Sequence, residues 1–236
     1  MIDLYGMGSP NVVKIYIALE ELELPYTVHP IDVFGGKQFS AEFLKLNPNA
    51  KVPVIVDHTG PGGKPYTLFE SGAILLYLAE KTLRLLPTDM AARYDVIQWL
   101  MVQMTGVGPM SGQLVHFARF APGGNEYARS RYATQVRRLF DVIDARLATV
   151  PFLGGATYSI ADIATFPWLR NADMLVGAAK SQYPNVLRWV DAIAARPSVV
   201  RALQAVDEVR ARTTQFDKAE AEIVDKVMGR GQYAAA

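Results

Sequence analysis

At about residue 82 the hydrophobic periodicity of this chain changes for good, and that switch limits the folds open to it. Before it, short apolar runs alternate with helical patterns; beyond it only helical patterns recur. Ile2–Tyr5 is a short apolar run closed by Gly6 and Gly8, a strand entering a loop. From Asn11 to Leu24, Val12, Ile15, Tyr16, Leu19 and Leu22 share one helical face. Val13 and Ile17 add another, so this helix is expected to be buried on all sides. Asn11 is a favoured N-cap, and Pro25 stops the helix. Tyr26–Ile31 reads as a second strand and Ser40–Leu46 as a short helix halted at Asn47-Pro48. Val52–Val56 and Tyr66–Phe69 read as strands joined through the Gly/Pro-rich HTGPGGKP, and Glu70-Ser71 opens a helix over Gly72–Lys81.

The order β-α-β-α-β-β-α makes residues 1–82 a compact α/β unit, with Leu83–Asp89 as the linker. Helical patterns then cover Ala91–Phe120, Glu126–Leu147, Ser159–Leu175, Pro184–Ala195 and Ser198–Arg212, so 90–212 is expected to be all-α. Ser159-Ile160-Ala161-Asp162 has the form of a capping box. Residues 213–236 form an extension in which Phe216, Ala219, Ile223 and Val227 share a face, the mark of one more amphipathic helix.

Composition removes several function classes. Half of the 236 residues are hydrophobic, enough for a sizeable core. Twenty-four Lys and Arg against 23 Asp and Glu leave a net charge of +1, without the basic excess of a nucleic-acid binder. No run reaches the ~18–20 apolar residues of a membrane span. The start shows no basic and apolar leader, so a soluble cytoplasmic protein is expected. There is no cysteine, hence no disulfide, no thiolate metal site and no nucleophilic thiol of the chain's own. His29, His58 and His116 are scattered, without the spacing of a helical metal site, and no metal is expected.

The loop GMGSPN, residues 6–11, stands between the first strand and the first helix, where helix amides point at an anion. Thioredoxin-like folds carry C-x-x-C at this junction, yet here the loop offers only Ser9, Pro10 and Asn11. Taken alone, Asn11 is an ordinary cap and Ser9 a loop residue. Pro53 merely begins a strand on that reading, and Glu70-Ser71 caps a helix and complements its dipole.

Taken in order, LYGMGSPN, GGKQF at 35–39, NPNAKVPVIVDH at 47–58, LFESGAILLYLAEK at 68–81, GVGPM at 106–110 and YSIADIA at 158–164 carry a resemblance. Up to about residue 205 the chain resembles the cytosolic glutathione transferases, most closely the nu class, a bacterial group related to the globular domain of the yeast nitrogen-regulator prion protein. The resemblance implies a thioredoxin-like N-terminal domain, an all-α C-terminal domain and a homodimer. It implies one or two bound glutathiones per subunit as co-substrate, used for disulfide reduction with weaker conjugation of electrophiles. It also assigns residues. The Val52-Pro53 bond would be cis, and the main chain of Val52 would pair with the cysteinyl part of glutathione like an added strand. Ser71 would hold the γ-glutamyl carboxylate and Glu70 the α-ammonium, while Gln38 and Lys51 serve the glycine end.

Ser9 and Asn11 would aim a hydroxyl and an amide at the glutathione sulfur, the Asn11 oxygen capping the helix while its nitrogen donates. Lowering a thiol pKa by two units needs about 2.7 kcal/mol. A helix end contributes about 0.3–1 kcal/mol, up to ~2 when partly buried. One or two charge-assisted hydrogen bonds of ~1.5–3 kcal/mol each complete it without a charged base. Tyr5, inside the strand, is read as packing. Met7, His116, Phe120 and Arg131 are the candidates for the second substrate or second glutathione. Gly106-Val107-Gly108-Pro109 is expected to kink a helix and open space beside it. Two other readings stay open: a non-catalytic glutathione-binding regulatory module, and a transferase that mainly conjugates electrophiles or cleaves glutathione thioethers.

Overall fold

A computed structural model describes residues 1–235; Ala236, the last residue of the expected extension, lies outside the described residues. The chain forms two compact units, one made of Met1–Ile74 with the segment from Val200 onward, the other of Leu75–Val199. The division between these units falls inside two helices.

The first unit is built on a mixed sheet of order β2-β1-β3-β4, with β1 Ile2–Gly6, β2 Tyr26–Pro30, β3 Val54–Asp57 and β4 Tyr66–Phe69. β1 and β2 run parallel, Ile2 opposite Tyr26 and Gly6 opposite Pro30. Parallel neighbours need a crossover, which α1 (Pro10–Glu21) supplies. β3 returns antiparallel to β1, with Tyr5 opposite Val54, and β4 antiparallel to β3, with Val54 opposite Phe69. In β1 the buried Ile2, Leu4 and Gly6 alternate with Asp3 and Tyr5, the period of a strand with one face on a core. A Cβ at Gly6 would stand 2.4 Å from Val12 Cγ1, so only glycine lets the strand end meet α1 so closely. α1 is buried on every side from Val12 to Leu19, as its sequence predicts. α2 (Ala41–Leu46) is capped by Ser40, whose Oγ accepts from Phe43 N at 3.2 Å. α3 covers Ser71–Thr82.

After the part of α3 from Leu75 on, the helical unit continues with α4 (Met90–Val102), which runs through a π-helical turn at Gln103–Val107 into α5 (Gly108–Val115) and a second such turn at His116–Phe120. The chain stays helical through Gly106–Pro109, where a kink is expected. Val107 and Gly108 keep helical angles, and a wider turn accommodates the proline. No space opens there. A Cβ at Gly108 would lie 2.9 Å from the Gln103 amide nitrogen and 3.7 Å from the Trp168 indole nitrogen, and one at Gly106 3.2 Å from Leu139. The glycines admit packed side chains instead.

α6 spans Glu126–Leu147 as its pattern predicts. The helix expected over 159–175 divides into α7 (Ile160–Leu169) and α8 (Ala172–Val176). At the break Asn171 Nδ2 donates to the Pro167 carbonyl at 2.9 Å, a side-chain bond that competes with the helix ladder. α9 covers Pro184–Ala194. The capping box at Ser159 forms and anchors a larger network. The fully buried Asp162 accepts from Ser159 N at 3.0 Å and from Ser159 Oγ, Leu153 N and Trp189 Nε1 at 2.9 Å.

α10 (Pro197–Arg210) leads into the tail. The single helix expected from Phe216 divides into a 3-10 turn at Phe216–Lys218 and α11 (Ala221–Met228). The Phe216 ring is held edge-on to Phe34 at 5.6 Å, and Ala219 and Glu220 run extended between turn and helix. Among the described residues no helix is long and apolar enough to cross a membrane.

Candidate active site

Sheet register gathers the candidate loops of the first unit. Gly6 ends β1 opposite Pro30, Val54 begins β3 opposite Tyr5, and Phe69 ends β4 opposite Val54. The segments 7–11, 31–39, 51–53 and 70–71 therefore leave the sheet at the same end. Met7, Ser9, Asn11, Gln38, Lys51, Val52, Pro53, Glu70 and Ser71 all lie in these segments.

In the first loop Ser9, not Asn11, is the N-cap, with extended angles of −96° and 154°. The reason is Pro10, whose fixed φ and missing N–H suit the first helical position. Asn11 consequently sits in the first turn with its side chain exposed. The expectation that its oxygen caps the helix is thereby corrected. The Ser9 side chain makes no capping bond; its carbonyl accepts from Val12 N and Val13 N at 3.0 Å. Neither the Ser9 hydroxyl nor the Asn11 amide has a hydrogen-bond partner among the described residues, so both remain available to a ligand. Tyr5 stacks on His29 at 4.7 Å, a packing role.

The Val52-Pro53 bond is cis. Val52 lies beyond the end of β3, and its main chain has no partner among the described residues. Asn47 secures this loop: Nδ2 donates to the Lys51 carbonyl at 2.7 Å, and Oδ1 accepts from Asn49 N at 2.9 Å. Lys51 is exposed, Pro53 buried. Gln38 is buried, and its Oε1 lacks a hydrogen-bond partner among the described residues.

At the third loop Glu70 is exposed and held at a φ of 71°, left-handed backbone that an ordinary residue enters at a cost of about 1–2 kcal/mol. Its carbonyl accepts from Ile74 N at 2.9 Å, so Glu70 is the cap of α3 and Ser71 its first residue, buried. Sequence reasoning missed what lies beneath. Lys14, the one charge within the apolar run Val12–Leu19 of α1, is 1% exposed and donates from Nζ to Ser71 Oγ at 3.2 Å. Burial pushes its pKa down to about 7 against the opposing field of Glu70. The signal was available: a lysine inside a helix that is apolar on every face needs a buried partner.

Because the folded protein releases this proton near pH 7 and the unfolded chain only near the ordinary lysine value, the unfolded state binds more protons in between. Stability is therefore lowest, with respect to this group, below pH 7 and rises from there to about pH 10.4. Urea midpoints should show this rise in the natural chain and lose it in Lys14→Met. Equal pH slopes in the two proteins would contradict the assignment.

His116, Phe120 and Arg131 belong to the helical unit. His116 meets Phe117 edge-on at 5.0 Å, Phe117 stacks on Tyr132 at 5.6 Å, and Arg119 lies over Phe120 at 5.7 Å. Arg131 is exposed on α6. Separately, Asp3 accepts from His58 at 2.8 Å and meets His29 at 3.2 Å, a pairing of distant histidines that sequence spacing does not reveal. Among the described residues no group of three His, Cys, Asp or Glu could hold a metal ion.

The sheet order and its loops define a thioredoxin-fold protein that presents uncommitted hydrogen-bond donors where such folds carry a thiol. The chain belongs to the glutathione transferase family: the model for the glutathione S-transferase N-terminal domain matches residues 8–81 and that for the C-terminal domain residues 104–197. It is 48% identical over 204 residues to the disulfide-bond oxidoreductase YfcG of Escherichia coli, covering 86% of this chain and 94% of that protein. The crystal structure of a Burkholderia graminis glutathione transferase with two glutathione molecules bound per subunit superposes with a TM-score of 0.81 at 50% identity, over 86% of this chain and 88% of that one. A Pseudomonas putida glutathione transferase with one glutathione disulfide bound per subunit gives 0.82 at 44% identity, over 86% and 90%.

Proposed function

We propose that this chain is a glutathione-dependent thiol–disulfide oxidoreductase that activates a bound glutathione thiolate. The observation that carries the reading is the pair of uncommitted donors, Ser9 Oγ and Asn11 Nδ2, at the start of α1 in a chain without cysteine. Their role is to stabilise sulfur negative charge together with the helix end. The thiolate attacks one sulfur of a disulfide, forming a mixed disulfide and expelling the other half as a thiolate. A second glutathione thiolate then attacks the mixed disulfide. Glutathione disulfide leaves, and the second half of the substrate departs as a thiol once protonated. Two glutathiones are oxidised and one disulfide is reduced, with no sulfur taken from the protein.

The other assignments follow the chemistry of a tripeptide. Val52 offers an unpaired main chain to an extended peptide, and Pro53 holds its turn. Ser71 Oγ accepts from Lys14, which directs its own proton toward a carboxylate. Glu70 presents an exposed carboxylate to the ammonium, and Lys51 an ammonium to the glycyl carboxylate. Gln38 brings a buried amide with an unmet acceptor. Met7, beside Ser9, is assigned to the second substrate or second glutathione. A homodimer is part of the reading, because Met90, Tyr94 and Met101 form an exposed apolar stripe along one face of α4. The reducing pool of glutathione favours a cytoplasmic setting.

Calorimetric titration with glutathione, followed by turnover of hydroxyethyl disulfide, tests the assignment. Binding with disulfide reduction is expected, from a particle of twice the 26.0 kDa chain mass in light scattering. Binding without turnover of any substrate would favour a non-catalytic glutathione-binding regulatory or scaffold module, and absence of binding would overturn the assignment. Binding with conjugation alone would place the chain among conjugating transferases.

A further inference from the structure

The two family models end by residue 197, and the segment from Val200 onward packs into the first unit, against its loops. Asp32 organises the loop 32–39: its carboxylate accepts from Gly35 N at 3.0 Å and its carbonyl from Lys37 N at 3.0 Å. The same carboxylate is gripped from the tail, Thr214 N donating to Oδ1 at 3.0 Å and Thr214 Oγ1 to Oδ2 at 2.7 Å. Phe216 stands edge-on to Phe34 at 5.6 Å. Gly36 is left-handed at a φ of 77°, and a Cβ there would meet Ile223 Cδ1 at 3.1 Å, so α11 rests on bare backbone. Lys226 Nζ lies 4.4 Å above the Phe39 ring. On the other side, Arg210 reaches the Gly8 carbonyl at 3.4 Å, one residue before Ser9.

These contacts span from 182 to 202 positions of sequence and fall on both sides of the buried Gln38. Their chemistry is varied: a charged double hydrogen bond, an aromatic edge, an aliphatic side chain on glycine, and a cation on a ring. A surface tail held by chance contacts would not converge on one eight-residue loop. The loop itself has little regular structure beyond a 3-10 turn at Lys37–Phe39, so its shape depends on what holds it from outside.

We propose that the tail from Arg210 to Lys226 is a clamp that fixes the loop 32–39, and with it Gln38, in the shape that receives glutathione. The tail residues touch no substrate; Thr214 and Phe216 are positioning residues. The clamp rests on the reading of this loop as part of the glutathione site. It explains how a chain of this family uses a segment beyond the matched domains.

The test uses the full chain, the double variant Thr214→Ala/Phe216→Ala and a truncation after Arg212. Glutathione affinity is read by calorimetry, kcat and KM by turnover of hydroxyethyl disulfide, and loop order by hydrogen exchange. In the double variant KM and Kd for glutathione should rise about tenfold, as the loss of one charge-assisted hydrogen bond implies. Exchange protection in 32–39 should fall while kcat at saturating glutathione stays within about twofold. Unchanged affinity and unchanged protection would overturn the clamp. If the natural chain binds no glutathione, the site reading fails, and loop protection alone decides: its loss in the variants upholds the clamp, its persistence overturns it. Should the truncation not fold, the double variant carries the comparison.

Discussion

Replacement of Asp162 by alanine is expected to lower the melting temperature by about 10 °C or more. Its carboxylate is fully buried and is the shared acceptor for Leu153 N, Ser159 N, Ser159 Oγ and Trp189 Nε1. The serine hydroxyl can rotate toward another acceptor, but the two backbone amides and the indole cannot. A fixed donor left without an acceptor in the interior costs about 1–3 kcal/mol, so three of them reach about 4 kcal/mol even near the low end. For a chain of this size each kcal/mol shifts the midpoint by about 2–4 °C. Against a typical total of about 5–15 kcal/mol, some of the variant will not fold at all.

Controls separate the network from the cap. Ser159→Ala removes one rotatable donor and should cost about 1 kcal/mol, a shift of only a few degrees. Asp162→Asn keeps an acceptor but brings its own N–H groups against donors, and should fall between the two. Thermal melts followed by circular dichroism decide the order. A shift below about 4 °C for Asp162→Ala would mean that the interior relaxes to satisfy the freed donors, and the account of a shared acceptor would be wrong.

That network also marks how far sequence carries. The capping box was legible because Ser159 and Asp162 stand at a local spacing, but Leu153 and Trp189 join it only through tertiary packing. The change of periodicity near residue 82 separates the two kinds of element order, and the 3.6-residue pattern of Glu126–Leu147 marks that helix between the breakers Pro122-Gly123-Gly124 and Pro151 to Gly155. The candidate loops were legible as loops; that they share one end of the sheet comes from register, which single-strand patterns do not encode.

Two misreadings have local causes. Ser9 and Asn11 are equally good caps by propensity, and only the preference of proline for the first helical turn separates them. Gly106–Pro109 reads as a break because glycine and proline weaken a helix in isolation, whereas here Leu139, Gln103 and Trp168 pack where side chains would be. Lys14 escapes a reading based on periodicity, because the pattern of apolar positions names the helix faces and not the partner of a single charge among them. The contacts of Thr214, Phe216 and Ile223 escaped because their partners lie nearly the whole chain away.

The double variant Ser9→Ala/Asn11→Ala is expected to slow disulfide exchange about tenfold at pH 6, and the deficit should close about one pH unit above the natural bound-thiol pKa and reverse beyond it. Removing two donors from the sulfur raises the bound thiol pKa by about two units, the equivalent of ~2.7 kcal/mol and within reach of bonds worth about 1.5–3 kcal/mol each. Below both pKa values the thiolate fraction then falls about 100-fold, but a more basic thiolate is a better nucleophile. With a Brønsted slope of about 0.4–0.5, roughly tenfold of the loss returns, which leaves the net factor of about ten. Once both proteins are fully ionised, only the nucleophilicity difference remains and the variant is the faster. Asn11→Ala alone should account for more of the shift, since its amide offers two donors and the Ser9 hydroxyl one. Folding does not confound the result, because Ser9 makes no side-chain capping bond and Asn11 is exposed. Ultraviolet titration of the bound thiolate and the pH dependence of kcat measure the two halves of the prediction. A rate loss equal at every pH, with an unchanged thiolate pKa, would assign these residues to positioning the tripeptide and leave the helix end as the source of sulfur activation.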